Sequence, residues 1–165
     1  MTVTSLRPLF PSVYLPSLVF ETGIGAAIPM VVVRAGELGA SLALAGFLTA
    51  LLPLGKILAD VPAGALAARI GDRRTMILAS VVAVGAGLTA ALANSVVLFA
   101  AGVLVVGMTD AVYQLARQSY VAGAVHPLRR ARALSTLGGV HRVGLFAGPF
   151  LTAGLAPAFG GAGGF

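Results

Sequence analysis

Hydrophobic stretches recur from Val13 to Phe159 with only short polar breaks. Several of them reach the roughly 20 residues that a helix needs to cross a bilayer core of about 30 Å. Read along the chain, the pattern predicts five helices, at about 13–33, 40–68, 75–93, 96–122 and 133–156. Polar residues 34–39, 69–74 and 123–132 separate most of these runs, while Asn94 and Ser95 alone mark the turn between the third and fourth. Pro157 and the glycines that follow it predict a further turn near the end. In lipid, backbone groups have to be paired within the helices themselves. The expected fold is therefore all-α, a polytopic membrane helical bundle of about five transmembrane helices.

Composition supports this reading. Of the 165 residues 58% are hydrophobic and only 10% charged, and the mean hydropathy is +1.00. A soluble domain carries about 25% charged residues, so there are too few here to cover a soluble globule of this size. Arg7 followed by an apolar run resembles the start of a secretory signal. However, Pro8, Pro11 and Pro16 interrupt it, Glu21 sits inside it, and no small-x-small cleavage site follows. With no cysteine there is no disulfide framework or thiolate metal site.

The net charge of +6 would raise the question of nucleic acid in a soluble protein. Here the arginines lie mainly between hydrophobic runs, and cytoplasmic loops are enriched in such residues. Arg7, Arg69, Arg73, Arg74, Arg129, Arg130 and Arg132 fall on one side of the five-helix arrangement, and only Arg34 falls on the other. The N-terminus is expected in the cytoplasm of a cell whose inner (plasma) membrane holds the chain, with membrane lipid rather than nucleic acid as its surroundings.

Ionisable residues inside a bilayer are costly and usually face protein or a water-filled cavity. The first predicted helix carries Glu21, the second Lys56 and Asp60, the fourth Asp110 and Arg117, the fifth His141 and Arg142, and the third none. The third helix is thus expected to face lipid, and the first and fourth to line a polar pathway. Glu21 and Asp110 occupy comparable middle positions. A carboxylate in a low-dielectric cavity has its charged form disfavoured and can carry a proton; the alternative is a carboxyl group tied permanently to a polar neighbour. Asp110, Gln114 and Arg117 are spaced i, i+4, i+7 and share one helix face, where Arg117 either serves the cavity or snorkels to the cytoplasmic side. Lys56 and Asp60, one turn apart, are expected to neutralise each other. A lone histidine is usually a packing or hydrogen-bonding residue, which is the expectation for His141, and Arg142 is placed to snorkel. Pro53 and Pro62 loosen the second helix, and Gly64 is expected to permit close helix approach.

The stretch DVPAGALAARIGDRRTMIL, beginning at Asp60, resembles the signature at the end of the second helix in the major facilitator superfamily. Gly64, Arg69, Gly71 and Arg73 match that signature and Arg74 adds a charge, whereas Ala68 stands in place of its Asp and Asp72 occupies a usually basic position. A second stretch, ARQSYVAGAVHPLRRARALSTLGGVHRVGLFAGPF, is similar to the fourth helix, loop and fifth helix of bacterial drug-efflux members. Its Gly144, Gly148 and Pro149 match part of the antiporter signature GxxxGPxxGG, in which Thr152 and Ala153 replace the final glycines.

The resemblance implies that residues 1–165 form a partial N-terminal half of a major facilitator fold. Members have two six-helix halves, each of two inverted three-helix repeats, around a midplane substrate site. It also implies secondary transport by alternating access, with proton-coupled efflux of an unknown small molecule expected first. An uptake permease, or a non-transporting membrane remnant or interaction subunit, is the alternative. Protons, the substrate and the missing second half or another chain are the implied partners. No cofactor, metal or enzymatic chemistry is expected, because no nucleophile and base are paired, Ser119, His126 and His141 included, and no phosphate-binding or dinucleotide fingerprint is present.

Overall fold

The computed structural model describes residues 10–159; Arg7 and the glycines from Gly160 onward lie outside this range. A π-helical turn, Phe10–Tyr14, leads directly into α1 (Leu15–Glu37), which is followed by α2 (Leu42–Ile70), α3 (Asp72–Ala91), α4 (Val96–Ala124) and α5 (Pro127–Phe159). Polar connections are shorter than their composition suggests. Residues 127–132 form the first turns of α5, because Pro127 supplies a φ already suited to a helix start and lacks the N–H that would be unsatisfied there. At the other end α5 continues through Pro157 to Phe159, where a turn was expected.

Local chemistry places the other breaks. Ser41 and Ser95 adopt extended backbone, and each accepts a hydrogen bond through Oγ from the third residue on, Leu44 N and Leu98 N, at 3.3 Å. These are ordinary helix N-caps. Gly71 alone links α2 to α3, at φ 84°, a conformation that a residue with Cβ adopts only with strain.

Two parallel helix pairs make the frame. Along α1 and α5 the contacts advance together: the Tyr14 hydroxyl donates to Ala133 O at 3.3 Å, Gly25 lies against Leu145, and the Thr152 hydroxyl donates to Ala26 O at 3.2 Å. Along α2 and α4 they do the same, from Leu52 against Gly107 to Gly64 against Leu115. Helix α3 folds back antiparallel on α4, where Ala86 and Ala90 meet Gly102. The consequence is an alternating up-and-down bundle with α3 at its edge; Val81 and Val84 of α3 are 66% and 63% exposed.

Four helical segments are long and apolar enough to cross a membrane: Phe10–Glu37, Leu42–Ile70, Asp72–Ala91 and Val96–Ala124. His141 and Arg142 interrupt the apolar run of α5. Its path is set instead by continuous parallel packing on α1, so it follows α1 through the same depth. Large apolar side chains such as Val61, Val97 and Phe146 stand on the outside, where lipid rather than water suits them.

The core is divided in two. One cluster includes Val31, Ala35, Leu48, Leu52, Ala90, Phe99 and Val103, and the other includes Val13, Tyr14, Val121, Val125, Ala133 and Leu137. Glu21, Asp110 and Arg117 fall between these clusters along α1 and α4. The buried charge is therefore held at mid-depth, with apolar packing on both sides.

Candidate functional site

Glu21 is fully buried at the point where α1, α4 and α5 meet. Its Oε1 lies 2.7 Å from Arg117 Nη1 of α4, and its Oε2 lies 2.8 Å from His141 Nδ1 of α5. Both contacts are of ion-pair length, the histidine carrying charge only when protonated. The Arg117 side chain is 2% exposed. It does not snorkel, and its Nε is without a hydrogen-bond partner.

The glycines of α5 bring the histidine close to Glu21. A Cβ added at Gly144 would come 2.6 Å from the Glu21 Cβ, and one at Gly148 would overlap the backbone of Gly25 and Ala26. Two of the three residues that match the antiporter signature thus form the surface on which α1 packs, Gly144 beside Glu21 and Gly148 one turn further along. Pro149, the third, is exposed.

Asp110 is also buried, but a different cation meets it. Its Oδ2 lies 2.8 Å from Lys56 Nζ of α2, and Oδ1 has no hydrogen-bond partner. The expected pairing of Lys56 with Asp60 is not made. Asp60 is exposed, and Lys56 crosses to α4 because Gly55 and Gly107 let the two helices come together just beside it. A Cβ at Gly55 would overlap Leu104 O, and one at Gly107 would overlap Leu52 O. At Gly64, by contrast, the nearest atom to an added Cβ is Leu115 Cδ2 at 3.7 Å, an ordinary contact. Close approach thus belongs to Gly55, not to Gly64.

Two aromatic rings brace the network. Phe20 of α1 and Tyr113 of α4 stack with centroids 4.0 Å apart and planes 8° from parallel. The Arg117 guanidinium carbon is 5.8 Å from the Tyr113 centroid, within the range of a cation–π attraction. Gln114, on the same helix, is half-buried and makes no polar contact among the described residues.

Glu21 and Arg117 are therefore brought together with His141 and Tyr113, while Asp110 on the same helix as Arg117 pairs with Lys56 of α2. The position of His141, well inside α5 and beyond the arginines of its first turns, was the available signal for its role. The α2 signature lies elsewhere, at the end of the bundle that carries the α2–α3 turn: Arg69, Arg73 and Arg74 are exposed, Gly71 makes the turn, and Asp72 opens α3. An acidic group there suits the positive end of its own helix.

Two grooves, of about 600 and 620 Å³, lie between α2, α3 and α4 and between α1 and α3; their linings are almost wholly apolar. Neither includes Glu21 or Asp110. A metal ion is poorly suited to the carboxylates, since each already faces a cationic side chain.

In comparisons with known proteins, the model of the Major Facilitator Superfamily matches residues 13–165. No curated protein matches the sequence.

Proposed function

Since the chain belongs to the Major Facilitator Superfamily, a family of transporters, we propose that it forms helices one to five of a proton-coupled secondary transporter in which Glu21 is the proton-binding group. One observation carries the proposal: a fully buried carboxylate is shared at mid-depth by Arg117 and His141, which come from two further helices. Protonation would remove the charge that ties α1 to α4 and α5. A change in three-helix packing is what alternating access requires of a coupling site.

Export of a small molecule in exchange for protons across the inner membrane is the direction favoured by Gly144, Gly148 and Pro149 of the α5 signature. The specific observation that favours uptake instead is that both buried carboxylates are already paired, leaving no free anion for protons and cargo to contest. In either direction the substrate site would be shared with a second set of helices, from a longer chain or another copy, as in the two-half architecture of the family.

Infrared difference spectra of the purified chain, between mildly alkaline and mildly acidic buffer, test the proton site. A protonated-carboxyl band should appear on acidification, vanish in Glu21→Gln and persist in Asp60→Asn. A band unchanged by Glu21→Gln assigns the proton elsewhere and defeats the proposal.

A further inference from the structure

We propose that this network accepts an oxyanion at Arg117 together with a proton on Glu21, so that the cargo carries a carboxylate, phosphate or sulfonate group and is loaded with the proton rather than in place of it. The inference rests on Glu21 as the proton site, takes the uptake reading, in which proton and cargo move together, over exchange, and adds the charge of the cargo.

The argument starts from charge balance at mid-depth. Glu21 and Asp110 are matched one for one by Arg117 and Lys56. A cationic cargo finds no unpaired carboxylate. To engage Glu21 it would displace Arg117, whose guanidinium is 2% exposed and would be left as a buried, uncompensated cation. Protonating Glu21 creates the opposite need, because Arg117 then lacks its anion. An arriving oxyanion restores neutrality with no new cation.

Arg117 is built to change partners. Glu21 meets it at Nη1, while Nε has no hydrogen-bond partner among the described residues. A guanidinium presents several donors in a fixed fork and binds oxyanions through two of them. Tyr113, stacked on Phe20, offers the cation a π face whichever anion is present. The other groups around Glu21 do not compete for this role. Asp110 is held by Lys56 of α2, and His141 of α5 meets the far oxygen of Glu21. A lipid headgroup is not the occupant, because apolar clusters separate Arg117 from both ends of the bundle.

Equilibrium dialysis of the purified chain in lipid nanodiscs tests the pairing, with three probes of one shape class: radiolabelled benzenesulfonate (anionic), benzenesulfonamide (neutral) and benzamidinium (cationic). Benzenesulfonate should bind best, tightening by up to about tenfold per pH unit of acidification, the limit for one linked proton. Glu21→Gln should bind it tightly at every pH, and Arg117→Gln should lose it. Preference for benzamidinium, absence of benzenesulfonate binding, or binding in the unsubstituted chain that ignores pH overturns the inference. The infrared band separates the two failures. If Glu21 takes up a proton but the anion does not follow, only the anion pairing falls; if no carboxyl band depends on Glu21, the proton site falls first.

Discussion

Lys56 Nζ lies 2.8 Å from Asp110 Oδ2, across the α2–α4 interface, and not against Asp60 one turn along its own helix. The two carboxylates should therefore respond differently to substitution. Asp110→Asn leaves a cation facing a neutral amide in a low-dielectric interior, whereas Asp60→Asn changes an exposed side chain. Because Lys56 is 33% exposed, the loss should fall below that of a fully buried pair, at about 1–3 kcal/mol. Thermal unfolding in detergent should show this loss for Asp110→Asn and a change within about 0.5 kcal/mol for Asp60→Asn. Equal effects at the two positions would contradict the cross-helix pairing.

The Glu21–Arg117 contact should couple far more strongly, since both side chains are almost wholly buried. Glu21→Gln and Arg117→Gln should each cost about 3–5 kcal/mol, because each strands the opposite charge. The double substitution should cost much less than their sum, as it strands neither. Additive losses in this double-mutant cycle would mean that the two residues act separately.

Helix approach gives a third expectation. Gly148→Val forces a side chain into the backbone of α1, and Gly107→Val into that of α2. Each should destabilise the bundle by about 1–3 kcal/mol or more, the usual cost of overpacking. Gly138→Ala and Gly139→Ala meet nothing within contact distance, and should be neutral or slightly stabilising through better helix propensity. Melting curves that rank the four alike would remove the steric account of the signature glycines.

Much of this architecture was legible because hydropathy and helix length are local properties: the five apolar runs, the Ser95 turn and the uncharged stretch of α3 beyond Arg74 needed no tertiary information. Charge inside apolar runs also pointed to Glu21, Asp110 and Arg117. What the sequence left open was the partner of each charge. Lys56 has a carboxylate one turn away, and the spacing rule for a lone helix favours it. The actual partner is chosen by how closely α2 and α4 pack, which depends on Gly55 facing Leu104 and Gly107 facing Leu52. His141 was undervalued for the same reason, because its closeness to Glu21 exists only once Gly144 and Gly148 have brought α5 onto α1. The polar loops were drawn too long because arginines at a helix start do not prevent helix when Pro127 begins it.

The last expectation concerns orientation, which follows from the charges once the structure has gathered them at one end of the bundle. Arg34 Nη2 donates to Ala93 O at 3.1 Å, so the end of α1 and the end of α3 lie together at one end of the bundle. Arg73 shares a groove with Ser12 and Val13, which puts the start of α3 beside the start of α1 at the other. The parallel pairs α1–α5 and α2–α4 then bring the α2–α3 and α4–α5 connections, with Arg69, Arg73, Arg74, Arg129, Arg130 and Arg132, to that second end. Clustered arginines mark the cytoplasmic side, whereas Arg34 is matched locally by Glu37 at 2.6 Å and adds little net charge to its own end. Single cysteines in this cysteine-free chain make the test direct. A membrane-impermeant maleimide should label Asn94→Cys in intact cells and Arg73→Cys or Arg130→Cys only after the membrane is opened. The reverse pattern would invert the topology, and labelling of all three from outside would break the link between the arginine cluster and the cytoplasm.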